Sequence, residues 1–152
     1  MYRQSTILAS TAAPFVADQK HLQIQLQPDS TIDLADILHR IHAAHFDPGQ
    51  NISLHFDHMH SEQPFPVMDI YLDITGRASV EENNRVGALS VFGIADSSGK
   101  HRVFDVSRLL WQLTRHTGLQ VQHLAVLLVP FQPLTAADRL EIGRVRLVYH
   151  QS

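Results

Sequence analysis

The sequence predicts an all-β fold, an antiparallel β-sandwich of about seven strands with two short helices in its connections. Three observations lead there. Short segments of apolar/polar alternation recur between breaks rich in Pro, Gly, Asn and Asp. Helical spacing occurs in two brief stretches only. No alternation of strands with helices is long enough to build a doubly wound parallel sheet.

Taken in order, residues 1–18 hold one short apolar centre, Ile7-Leu8-Ala9. A signal peptide needs an apolar stretch of about 7–15 residues. The segment is therefore expected to be a first strand or a loose N-terminal arm, and the protein to be cytoplasmic. From His21 to Gln27, Leu22, Ile24 and Leu26 alternate with glutamines, a half-buried strand closed by Pro28-Asp29. Leu34, Ile37, Leu38 and Ile41 then fall at i, i+3, i+4 and i+7, a helix capped by Thr31 or Asp33 and stopped at Asp47-Pro48-Gly49.

Asn51 to Phe56 returns to alternation. After Pro64 and Pro66 a strong strand places Met68, Ile70, Leu72 and Ile74 inward and Asp69, Tyr71 and Asp73 outward. Thr75 to Asn84 is polar and turn-rich, a long loop. Val86 to Ile94 is a mostly apolar strand, followed by a turn at Asp96-Ser97-Ser98-Gly99 and a strand through Arg102-Val103-Phe104. Asp105 caps a second helix with Val106, Leu109, Leu110 and Leu113 on one side and Gly118 at its end. His123 to Val129 is almost continuously apolar, as in a strand covered on both faces. Ile142 to Tyr149 closes the fold with Val145, Leu147 and Tyr149 inward and Gly143 near a bulge.

The chain has 152 residues, enough for one domain (1–152) with a core that needs no staples. An apolar content of 44% with 18% charged residues is that of a globular domain. The formal charge of −3 argues against nucleic acid and anionic membrane surfaces, both of which attract basic patches. Without cysteine, disulfides, thiolate metal sites and thiol nucleophiles are excluded. No nucleophile elbow, phosphate-cradling glycine loop or H-E-x-x-H motif is present, which leaves hydrolase and transferase chemistry without a motif.

Five segments, in order, resemble the C-terminal β-sandwich domain of tyrosinases and polyphenol oxidases, the type 3 copper enzymes. They are MDIYLDI (Met68–Ile74), VGALSVFG (Val86–Gly93), FDVSRLLWQL (Phe104–Leu113), LAVLLVP (Leu124–Pro130) and IGRVRLVY (Ile142–Tyr149). The family's own segments read like FDVYLN, VGSLSFFG, FDVTDxLRxL, LVP or FVP, and IGRVEL. The resemblance covers about half of the chain, and the first sixty residues match less clearly.

The resemblance implies that the chemistry lies elsewhere, on a separate helical domain whose copper ions are held by histidines, partly in H-x-x-x-H pairs. His39, His42 and His45 here stand at i, i+3 and i+6 and do not reproduce that spacing. No catalytic residue is carried over. The implied function is a non-catalytic accessory or shielding unit for a tyrosinase-like copper oxidase chain, covering its active site or aiding copper loading. It would require no cofactor of its own and would meet copper only transiently; self-association is left open.

Two alternatives stay beside it. Eleven histidines are many for this length, and they concentrate in His55-Phe56-Asp57-His58-Met59-His60. Imidazole suits copper and zinc, and thioether favours Cu(I), so His55, His58, Met59 and His60 are a candidate metal set for a self-contained copper-binding protein. The other alternative is a sandwich that binds an unrelated ligand. Trp111, off the apolar stripe of its helix, and Phe65, held between two prolines, are the candidate partner-binding aromatics.

Overall fold

The computed structural model describes residues 4–90, 100–117, 121 and 123–151. In chain order its strands are β1 (Gln4–Ser10), β2 (Phe15–Ala17), β3 (Gln23–Gln25), β4 (Gln27–Pro28), β5 (Gln50–His60), β6 (Met68–Asp73), β7 (Arg85–Leu89), β8 (Lys100–Asp105), β9 (Ala125–Pro130) and β10 (Leu140–Gln151). The helices are α1 (Leu34–Ala43), between β4 and β5, and α2 (Ser107–Thr117), between β8 and β9. One sheet runs β4-β1-β10-β5-β8, with β2 also paired to β10; the other runs β3-β9-β6-β7. Every described pairing is antiparallel. This is the all-β sandwich that the alternation predicts, with the strands more finely divided than seven.

Each sheet turns one face inward. Ile52, Leu54 and Phe56 of β5 and Val145, Leu147 and Tyr149 of β10 join Met68, Ile70 and Leu72 of β6, Ile24 of β3, and Val126 and Leu128 of β9 in one buried cluster. The Leu54–Leu147 and Leu72–Val126 cross-strand pairs show how register aligns the apolar sets, since a slip of one residue would turn each strand inside out. Removing this apolar area from water is the main force holding the sheets together. On β9 both faces are covered from Ala125 to Leu128, which explains its unbroken apolar run.

Of the two expectations for the N-terminal segment, a first strand or a loose arm, the structure has the strand. β1 pairs along β10 from Gln4–Gln151 to Ser10–Arg146, and β2 pairs with the start of the same strand. The strand expected from His21 to Gln27 divides between the sheets. Gln23–Gln25 pairs with β9, and the Leu26 N–H still donates to the Leu124 carbonyl at 2.8 Å, whereas Gln27-Pro28 pairs with Ser10 and Ala9 of β1. The chain thus crosses between layers at a corner that continuous alternation conceals.

Helix α1 starts at Asp33, whose carboxylate accepts the Asp36 N–H at 3.2 Å, a standard cap. It ends with His45 and Phe46 at φ 55° and 56°, and the Phe46 N–H donates back to the Ile41 carbonyl. Asp105 accepts the Ser107 N–H before α2, and the buried Ser107 hydroxyl accepts the Ile52 N–H at 2.8 Å, tying that helix to β5. The loop after β6 is pinned by buried Asp73, which accepts bonds from Thr75 and Ala78 and leads into a single 3-10 turn at Glu82–Asn84. The expected continuation of β7 to Ile94, the turn at Asp96–Gly99 and the helix end at Gly118 lie outside the described residues. Among the described residues no helix is long and apolar enough to cross a membrane.

Candidate functional site

The outward face of the larger sheet carries the chemistry. Alternation that buries Leu54 and Phe56 sends Ser53, His55 and Asp57 of β5 to the other side. There His55 stands opposite Arg146 of β10 and beside Val103 of β8. The His55 ring lies 5.6 Å from that of His150 and 6.3 Å, nearly parallel, from that of His101. Three adjacent strands thus bring three imidazoles to one place.

A β-bulge arranges the neighbourhood. Phe56 pairs with Arg102 and Met59 with Lys100, so Asp57 and His58 together face the single residue His101. His58 takes φ 55°, a left-handed conformation that only a few percent of non-glycine residues adopt. Across from it stands Gly143 of β10, and there a Cβ would lie 2.8 Å from the His58 Cβ. The bulge expected near Gly143 is therefore on the neighbouring strand, and the glycine makes room for it.

Polar contacts around His55 form a directed set. Arg146 Nε donates to Asp57 Oδ2 at 2.6 Å and Nη2 to Oδ1 at 3.3 Å, a bidentate ion pair. The same Nη2 lies 3.4 Å from His55 Nδ1. Guanidinium only donates, so His55 Nδ1 carries the lone pair and Nε2 the proton. His55 Nε2 faces His150 Nε2 at 3.4 Å, and His150 Nδ1 lies 3.0 Å from Ser5 Oγ of β1. The inferred direction of donation is Arg146 to His55 to His150 to Ser5. Burial, and next the Arg146 charge, hold His55 below its ordinary imidazole range; His150 and His101 act in the same direction and Asp57 opposes them. The ring is therefore neutral at pH 7.

The candidate metal set His55, His58, Met59 and His60 is not brought together. Met59 is fully buried in the core, His58 is exposed on the bulge, and His60 pairs with Glu141 and lines a separate cavity of about 330 Å³ with Ser61, Glu62 and Arg139. A strand sends neighbouring side chains to opposite faces, which is why sequence adjacency does not become convergence. Phe65 is not presented to solvent: it is 8% exposed and belongs to the core. Trp111 is half-buried, stacked on His42 at 4.1 Å and edge-on to His39 at 5.4 Å, so it joins α2 to α1.

Sequence reasoning missed His101, His150 and Arg146 as neighbours of His55. Their separations of 46, 95 and 91 positions leave no local motif, and only register assembles them. It also passed over Phe131, at 63% the most exposed large apolar side chain among the described residues. Its position directly after Pro130 was the available signal.

The family described as a domain of unknown function, DUF7868, matches residues 4–151. No curated protein matches the chain. Among solved structures, recombinantly expressed latent aurone synthase, a polyphenol oxidase co-crystallised with hexatungstotellurate(VI), is similar with a TM-score of 0.56 and 13% identity, over 89% of this chain and 25% of that one. Latent aurone synthase from its natural source is similar with a TM-score of 0.51 and 12% identity, over 93% and 25%. The chain spans about a quarter of the length of these structures. At such identity the likeness is one of fold, and the fold resemblance to part of a polyphenol oxidase read from the five segments is shown at that level.

Proposed function

Starting from the fact that this chain belongs to the DUF7868 family, we propose that it is a non-catalytic accessory unit of a tyrosinase-like type 3 copper oxidase, one that seats against the oxidase and covers its active site. The observation that carries this reading is the fold match of 89% of the chain to about a quarter of a latent polyphenol oxidase. One feature supports it: the five sequence segments that resemble the family's sandwich domain map onto β6, β7, β8 with α2, β9 and β10, strands drawn from both sheets.

The test is reconstitution. The chain is added to a tyrosinase-like oxidase from the same organism, and diphenol oxidation and copper content are followed with complex formation by light scattering. A stable complex with suppressed oxidation, or with faster copper uptake, is expected. A chain that forms no complex and leaves both activity and copper content unchanged defeats the proposal.

A further inference from the structure

We propose that His55, His101 and Asp57 form a site for one imidazole-preferring divalent metal ion, of the Zn²⁺ or Cu²⁺ kind, on the outer face of the larger sheet. One ligand atom from each of the three residues lies within 4.8 Å of the other two. A tetrahedral ion with bonds of about 2.0–2.1 Å needs donors roughly 3.3 Å apart. Closing the gap would require the His101 ring, which is exposed, to turn inward, since Asp57 is held by Arg146. The ion would reach the site from solvent on the His101 side.

The donor set is assembled by backbone geometry. His55 and Asp57 stand two apart on the outward face of β5, and the bulge sets Asp57 opposite His101 of β8. The lone pair of His55 is on Nδ1, which faces Arg146, while Nε2 is directed at His150. A metal-bound histidine typically fixes its other ring nitrogen through a hydrogen bond. His150, itself held by Ser5, supplies that partner here. Arg146 orients Asp57, and its contact with His55 Nδ1, at 3.4 Å, is the weak one that an ion would displace. Its positive charge tempers the affinity without removing the donors. Two imidazoles with a carboxylate are a common transition-metal set.

This site stands independently of the covering role, since it needs no second protein. The experiment is calorimetric titration of the full chain with Zn²⁺ and, separately, with Cu²⁺ in a weakly chelating buffer; the two arms identify the ion preferred. One ion per chain is expected. His101→Ala and Asp57→Asn should each weaken binding by at least about tenfold, the loss typical even of groups outside the coordination shell. His101 lies exposed on an edge strand, so its variant keeps the fold, as a melting curve will verify. The double variant His58→Ala/His60→Ala should bind as the parent does. The proposal is overturned by the lack of stoichiometric binding of either ion, by unchanged affinity in both His101→Ala and Asp57→Asn, or by loss of affinity in the His58/His60 variant alone.

Discussion

His55 shows what burial does to a single side chain. In the unfolded chain its imidazole titrates near 6.5. In the fold, burial and then the charge of Arg146 lower that value, against the smaller opposing effect of Asp57, with His150 and His101 close by. The unfolded state therefore binds a proton that the native state refuses. Stability falls as pH drops from the ordinary histidine value toward the lowered one, and levels off below it. Thermal melts between pH 7.5 and 5 should show this slope, and His55→Gln should flatten it. An equal slope in the variant would assign the effect to other groups.

At the scale of elements, the β5–β10 pair carries a local conflict that two residues resolve together. His58 adopts φ 55° to make the bulge, and Gly143 opposite leaves the space that the bend requires. In Gly143→Ala the new Cβ would stand 2.8 Å from the His58 Cβ and 3.3 Å from the Asp57 carbonyl. Strand separation there should cost about 1–3 kcal/mol, as overpacking does. His58→Gly takes away both the opposing Cβ and the unfavourable φ. Combined with Gly143→Ala it should restore much of the loss, so a double-mutant cycle by urea denaturation should be clearly non-additive. Additive effects would mean that the two positions do not oppose each other.

Across the whole molecule, the buried core and the most exposed large apolar side chain among the described residues are separate. The core is one continuous cluster, and Phe131 lies outside it at 63% exposure. A solvent-facing aromatic adds little to folding, and Phe131→Ala should change stability by no more than about 0.5 kcal/mol. Under the covering role such a side chain is a ready anchor for the oxidase, and the same variant should weaken the complex by about tenfold or more. Equal binding by Phe131→Ala, with the complex intact, would place the contact on another surface.

The sequence by itself determined the class of fold and most of its elements, because a strand's period of two and a helix's period of 3.6 are local properties of the chain. Met68–Asp73, Ala125–Pro130 and the two helices were readable from their apolar spacing, and the cap of α1 was narrowed to Thr31 or Asp33, of which the structure uses Asp33. What depended on partners far along the chain was not. The division of Gln23–Pro28 between two sheets and the pairing of the first residues with β10 follow from register. The meeting of His55 with His101, His150 and Arg146 has the same origin. Only tertiary structure decides such proximity, since hydrogen-bonded ladders join residues whose separation in sequence carries no periodic trace.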